Sequence, residues 1–261
     1  MCLILLAHQT HDGYPLVLAA NRDEFHSRPT APAAFWSDAP EVLAGRDLES
    51  GGTWLGVNRS GRWAAVTNFR DAEAGVRAPL SRGRLVSDFL IRPVEAPAYL
   101  DEIVARELRY GGYNLLLGDG SDVFWTSNRR ESEPAYRRLE PGVYGVSNHL
   151  LDTPWPKVER GKRELEKILH DGSDPDPDRL LEVLIDRTYA AEHLLPETGV
   201  TPELERALSA SFILTPEYGT RSSTALLMSR EGTIRFAERR FDSTGRSTGE
   251  DVFEIPRPDD R

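Results

Sequence analysis

Cys2-Leu3-Ile4-Leu5-Leu6-Ala7 stands at the start of the chain, and a second apolar run, Leu16-Val17-Leu18-Ala19-Ala20, follows a short polar segment containing Asp12-Gly13. Two apolar runs joined through Asp-Gly are the signature of a β-hairpin. The hairpin predicts that Cys2 opens a strand. It also predicts that Asn21-Arg22-Asp23-Glu24, which follows the second run immediately, lies on a partner folded back beside the N-terminus. Cys2 is the chain's only cysteine. Removal of Met1 would leave a thiol and a free α-amine on one residue. A thiol of pKa about 8.5 is only a few per cent thiolate at neutral pH, and an α-amine titrating near 8 can act as its base. That is the architecture of an N-terminal nucleophile. The same position also reads as a small apolar residue opening a buried strand, because free cysteine is among the most buried residue types.

Working outward, the hairpin pattern recurs. Trp54-Leu55-Gly56-Val57 pairs with Trp63-Ala64-Ala65-Val66-Thr67 around Asn58-Arg59-Ser60-Gly61, and Tyr113 to Leu117 pairs with Val123-Phe124-Trp125 through Asp119-Gly120. Ala225 to Met228 and Thr233 to Phe236 flank Glu231-Gly232. Helical spacing falls between these groups: Leu100, Ile103, Val104 and Leu108 in one stretch, Val158, Leu165, Ile168 and Leu169 in a second, Leu180, Leu181 and Leu184 in a shorter third. Asp171 to Asp178 reads as a loop between helices. Hairpin groups with intervening helices predict an α+β arrangement of antiparallel sheets covered by helical layers. No linker or repeat divides residues 1–261, so one domain is expected.

Composition excludes several functions. With 32 basic and 42 acidic residues the formal charge is −10, the reverse of a surface that neutralises phosphates. The only lysines are Lys157, Lys162 and Lys167, within one predicted helix, and there is no P-loop. One cysteine cannot build an intrachain disulfide framework, which fits a reducing compartment. Leu3 to Ala7 has no basic flank and is too short for a signal core or a membrane span, so a cytoplasmic protein without stable membrane insertion is expected. Pro256 to Arg261 reads as a frayed tail.

The chemistry-bearing side chains gather at strand ends. Along an extended strand Asn21 and Asp23 face one way and Arg22 and Glu24 the other, so one acid can face the Cys2 site while the other pairs with a surface arginine. Asn68 ends the strand Arg62 to Thr67, and Asn148 ends another at Tyr144 to Ser147. Each amide can donate to a developing oxyanion without titrating, although asparagine is also an ordinary turn former. Arg221, within Gly219-Thr220-Arg221-Ser222-Ser223-Thr224 and before a strand, can hold a thiolate or a substrate carboxylate, or tie down a loop. Gly51-Gly52-Thr53-Trp54-Leu55-Gly56 lacks dinucleotide-site spacing and reads as a turn that lets backbone approach the site or a ligand. Trp36, Trp54, Trp63 and Trp125 read as core rather than cleft lining. His8 and His11 have H-x-x-H spacing without a third ligand and read as loop residues, so no metal site is expected.

As a set, Met1-Cys2, Asn21-Arg22-Asp23-Glu24, Gly51 to Gly56, Thr67-Asn68-Phe69, Ser147-Asn148-His149 and Tyr218 to Thr224 resemble the NRDE-motif family, also called the transport-and-Golgi-organisation protein 2 family. The resemblance spans nearly the whole chain and implies the four-layer αββα sandwich of the N-terminal-nucleophile hydrolases. A more distant resemblance is to the cysteine branch of that superfamily, with choloylglycine hydrolases, penicillin V acylases and acid ceramidase-like enzymes. Its pattern is an N-terminal cysteine, an Arg-Asn-x-Asp stretch on the second strand, two later asparagines and a late arginine. Cys2, Asn68, Asn148 and Arg221 match it by type and order. The second-strand element does not: Asn21 takes the arginine's place and Glu24 the aspartate's, while a shift by one restores Arg22 and displaces the acid. The choice between Asp23 and Glu24 stays open.

Two functions follow from the resemblance. One is an N-terminal-cysteine amidohydrolase or acyltransferase acting on a small acyl or lipid-like substrate, with a catalytic set of Cys2, Asn21, Arg22, Asp23, Glu24, Asn68, Asn148 and Arg221 and no required cofactor. The other is a carrier that reuses the cleft for haem or an acyl lipid without turnover, with Cys2 or His8 as a weak axial ligand to haem.

Overall fold

A computed structural model describes residues 2–70, 78–119, 122–131 and 134–256. In chain order the strands are β1 (Cys2–His8), β2 (Leu16–Phe25), β3 (Thr30–Trp36), β4 (Ala39–Asp47), β5 (Leu55–Asn58), β6 (Trp63–Asn68), β7 (Tyr113–Asp119), β8 (Asp122–Ser127), β9 (Arg137–Arg138), β10 (Gly142–Val146), β11 (Tyr218–Met228), β12 (Ile234–Phe241) and β13 (Ser247–Ile255). The helices are α1 (Gly83–Ile91), α2 (Ala96–Val104), α3 (Pro156–His170), α4 (Pro177–Val183) and α5 (Pro202–Leu208). A proline lies in the first turn of each of α2 to α5, where its missing N–H leaves no intrahelical bond unmade.

The strands form two sheets, ordered β10-β1-β2-β11-β12-β13 and β3-β4-β5-β6-β7-β8-β9, and every ladder between them is antiparallel. The continuous apolar run of β1 has a direct cause: both its faces are covered. Ile4 and Leu6, with Leu18, Leu226 and Phe236, pack between the sheets against Leu43, Leu55, Val57 and Trp63. Leu3, Leu5 and Ala7, with Val17, Ala19, Ala225 and Leu227, pack outward against α3 and α4. The second sheet presents Val42, Ala64, Val66, Leu115 and Leu117 to α1 and α2. The result is helix, sheet, sheet, helix, as expected. Each fully buried leucine contributes about 1.5–3 kcal/mol through area removed from water, so no layer is dispensable.

Several local expectations change. The strand β2 continues through Phe25 and β11 starts at Tyr218, so Asn21 to Glu24 and Gly219 to Thr224 lie inside strands rather than beyond their ends. These polar residues stay in the ladder because β2 and β11 pair with each other along this length, satisfying both backbones. Leu108 does not extend the helical stripe of α2; it sits in a 3₁₀ turn and is 90% exposed. Trp36 and Trp63 are core, whereas Trp54 and Trp125 are half-buried at its margin. His8 is the buried last residue of β1 rather than a loop residue. Gly120 of the third turn and the tail from residue 257 lie outside the described residues. No described helix is long and apolar enough to cross a membrane.

The turn at Gly51-Gly52 has a different purpose from the one its sequence suggests. Gly51 has φ of 76°, and Gly52 lies against the first residue of α1: a Cβ on it would stand 2.6 Å from the Gly83 carbonyl carbon. What approaches Gly52 is therefore backbone of the helix layer. Gly52→Ala is expected to lower stability by about 1–3 kcal/mol, because neither backbone can yield cheaply. A urea unfolding midpoint unchanged from that of the parent protein would contradict this packing.

Candidate active site

Registry gathers the polar residues at one end of the sandwich. Cys2, described through its backbone, pairs with Arg22, and Arg22 pairs on its other side with Ser222. On the far flank Ile4 pairs with Val146, so Asn148, two residues on, arrives at the level of Cys2. Four neighbouring segments thus bring Asn148, Cys2, Arg22 and Ser222 to one row. The second sheet supplies Asn68 at the end of β6. Asn148 Nδ2 donates to the Asn68 carbonyl at 3.2 Å, and the Arg70 N–H donates to the Asn148 carbonyl at 2.7 Å. These bonds join the two sheets at the site. Ser147 Oγ donates to Asn148 Oδ1, fixing the amide so that its second N–H remains for another acceptor. Among the described residues no hydrogen bond takes up the Asn68 amide.

The alternation of β2 decides between the acids. Asp23 shares the face of Val17 and Ala19 toward the helices, where it is 2% exposed and accepts from Thr220 Oγ1 at 2.7 Å. Thr220 in turn accepts from the Ile213 N–H, and Tyr218 Oη donates to the Asp23 carbonyl at 2.9 Å. Burial pushes the Asp23 carboxyl up from its ordinary pKa; Lys157, the Thr220 bond and Arg22 oppose that rise. Glu24 is half-exposed and lies 3.9 Å from Arg22 and 3.8 Å from Arg28. Asp23 is therefore the interior acid and Glu24 the partly exposed one, set between Arg22 and Arg28.

Two members of the expected set have structural duties. The Asn21 amide donates to the Leu184 and Ser211 carbonyls, both at 2.8 Å, and accepts from Ser223 Oγ at 2.6 Å. Its hydrogen bonds are directed beneath the helical layer. Arg221 occupies the register shift between Thr220 and Ser222 and donates to the carbonyls of Phe25, His26 and Arg28. It ties down the loop after β2, the alternative its sequence left open. Burial and the neighbouring Arg22 charge hold its pKa down.

Other residues enter the site only through tertiary contacts. Lys157, 1% exposed at the start of α3, donates to the Leu208 carbonyl at 2.9 Å. Arg70 forms a buried 2.5 Å ion pair with Glu205 of α5, which also accepts from Thr198. Phe69, His149 and Trp155 form a ring stack beside the asparagines, with centroids 4.9 and 5.8 Å apart. Arg70 follows Asn68 by two residues, which is the one local hint that it belongs here. Among the described residues no group of three or more His, Cys, Asp and Glu side chains could hold a metal ion. Cys2 and His8 stand at opposite ends of β1, roughly 20 Å apart at ~3.3 Å per residue, so they cannot share one haem iron.

Residues 1–243 match the family described as Transport and Golgi organisation 2. The chain belongs to that family. Transport and Golgi organization protein 2 homologs of Bos taurus and Homo sapiens are each 36% identical to it, over 258 and 259 residues, with 92% of either chain covered. The Drosophila melanogaster Transport and Golgi organization protein 2 is 28% identical over 259 residues, covering 91% of both. Among solved structures, the C2A mutant of the Clostridium perfringens conjugated bile acid hydrolase superposes with a TM-score of 0.54 at 10% identity, covering 98% of this chain and 92% of that one. The Caenorhabditis elegans N-acylethanolamine-hydrolyzing acid amidase ortholog gives 0.51 at 10% identity, covering 87% and 92%. At that identity the likeness shows the fold: this Transport and Golgi organisation 2 family member has the architecture of the N-terminal-nucleophile hydrolases.

Asn21 and Glu24 differ in how much their side chains hold together. Asn21→Ala is expected to cost about 3 kcal/mol, since it strands two buried carbonyls and a hydroxyl. Glu24→Ala, which breaks long, partly solvated ion pairs and an exposed bond from the Phe25 N–H, should change stability by less than about 1 kcal/mol. Chemical denaturation of both variants checks the contrast, and equal losses would refute it.

Proposed function

We propose that this protein is an N-terminal-cysteine amidohydrolase or acyltransferase for small acyl or lipid-like amides. The observation that carries the reading is the shared row of Cys2, Arg22 and Asn148, with Asn68 beside it and the buried Asp23 next in sequence to Arg22. After removal of Met1, the α-amine of Cys2 takes the thiol proton and the sulfur attacks the amide carbonyl. Asn68 and the second N–H of Asn148 donate to the oxyanion. Collapse of the tetrahedral intermediate breaks the C–N bond, the protonated α-amine gives its proton to the leaving amine, and a thioester remains. Water then releases the acid, or an acceptor amine takes the acyl group. Asp23 orients the α-amine, and its burial keeps the carboxyl away from solvent competition. The Phe69, His149 and Trp155 stack offers an apolar wall for the acyl chain.

Stopped-flow mixing with octanoyl p-nitroanilide is expected to give a burst of p-nitroaniline equal to the enzyme concentration, absent in Cys2→Ala. Asn68→Ala should lower kcat about 10²- to 10³-fold, as for loss of one oxyanion donor, with little change in Tm. Turnover surviving in Cys2→Ala would end the proposal. So would an intact mass that retains Met1, because an acylated nitrogen cannot be the base. The cleft would then pass to the carrier reading, with haem or an acyl lipid bound and released unchanged.

A further inference from the structure

On the inner face of the same sheet, a cavity of about 110 Å³ lies between β11 and β12 and the segments 30–32 and 54 of the opposite sheet. Ser222 and Glu238 reach it from the first sheet, Trp54 from the second, and Arg221 and Arg240 from its rim. Two of its polar atoms, Ser222 Oγ and Glu238 Oε2, are buried without a hydrogen-bond partner, on side chains 4% and 1% exposed. Arg22, 5% exposed and cross-strand from Ser222, adds a third such atom, Nη1. Native structures rarely leave buried polar groups unpaired, because each loses its hydration without compensation. Ser222 and Glu238 present theirs on the cavity wall, with Arg22 next to Ser222 behind it, an arrangement suited to a polar occupant.

The wall is held in place. The Arg22 guanidinium lies 4.3 Å from the Trp54 ring centroid. Gly45 gives that ring its room, since a Cβ there would stand 2.4 Å from Trp54 Cη2 and 3.2 Å from Glu238 Oε2. Glu238 Oε1 accepts from the Ala33 N–H at 2.8 Å, which turns Oε2 toward the cavity. The charge count selects the ligand. Arg221 and Arg240 line the site and Arg22 stands behind Trp54; Arg240 pairs with Asp251, Arg22 reaches Glu24 only at 3.9 Å, and Arg221 bonds to carbonyls that carry no charge. An amine would meet two guanidinium groups on the wall with a third behind it, whereas an anion would be drawn in.

We propose that this cavity binds a small carboxylate, which meets Ser222 Oγ and Glu238 Oε2 and is drawn by the Arg221 and Arg240 charges on its wall and by Arg22 behind it. The site does not require Cys2 to react, so it stands apart from the hydrolase reading. Burial raises the Glu238 carboxyl to about 7; the Ala33 bond and the charges of Arg240 and Arg22 lower it, and Asp251 raises it. Those are the charged groups facing it from β2, β12 and β13. An entering anion is compatible with neutral Glu238 and repelled by its ionised form, so affinity falls as pH rises through 7.

Butyrate is the probe, read by ligand-observed NMR and by amide shifts at Ser222 and Trp54. Between pH 6 and 8 its affinity for the wild-type protein is expected to fall about tenfold, the ratio of protonated Glu238 at the two pH values. Glu238→Gln, which keeps the acceptor for Ala33 and mimics the neutral acid, should bind at pH 8 as the wild type does at pH 6. Ser222→Ala should weaken binding about fivefold, one hydrogen bond's worth. Cys2→Ala should leave butyrate binding unchanged even if it abolishes acyl transfer. Butyramide or propylamine binding as tightly as butyrate would overturn the carboxylate assignment. Affinities and pH slopes unaltered in folded Ser222→Ala and Glu238→Gln would overturn the location, and Ser222→Ala alone decides if the other variant does not fold.

Discussion

Asn21, sealed beneath the helical layer, is the constraint on which the active end depends. Its amide binds the carbonyls that follow α4 and α5, and its oxygen takes the hydroxyl of Ser223 on the neighbouring strand. The apolar part of the β1-β2 hairpin cannot specify its own register, because leucines, valines and alanines occupy both faces. A one-residue slip would exchange one apolar set for another. The same slip would carry Asn21 into the space between the sheets and leave three partners unpaired. Register is thus set by one buried amide, and with it the levels of Cys2, Arg22, Ser222 and Asn148.

Given that register, the alternation of β2 sorts its polar residues into two environments. Asp23 enters an interior polar cluster with Thr220, Lys157 and, more remotely, the Arg70–Glu205 pair. Buried pairs of this kind add little net stability when whole, yet removing one partner leaves an uncompensated charge. Arg22 instead turns between the sheets, onto Trp54 and toward Ser222 and Glu238. One tetrad therefore joins an interior polar cluster on one face and reaches between the sheets on the other.

Much of the architecture was legible from period alone. The hairpins around β1 and β2, β5 and β6, and β11 and β12 carry apolar runs interrupted by glycine-containing turns, and α3 carries a clean helical stripe. Other elements were hidden for physical reasons. The α1 segment begins at Gly83-Arg84 with no capping side chain to announce it. The strand β13 is half-exposed and mostly polar, and β3 carries Pro32, which reads against a strand. The functional lengths of β2 and β11 were also obscured, because their polar ends look like turns unless their mutual pairing is known. Glu238 falls two residues after Phe236, at the same inward parity, and would have been visible as a carboxylate on an inward face had β12 been carried that far.

The sequence by itself determined that Cys2 opens the first strand, that antiparallel sheets with helical covers would form, and that polar side chains would gather near strand ends. Those are consequences of side-chain period and turn chemistry, which act over a few residues. Only the tertiary structure decided which way each polar side chain faces and what it meets. Asp23 became the interior acid, Asn21 a structural latch and Arg221 a loop tie. Ser222 and Glu238 met across neighbouring strands. Those outcomes rest on cross-strand register and on contacts between residues up to about two hundred positions apart, which no local pattern encodes.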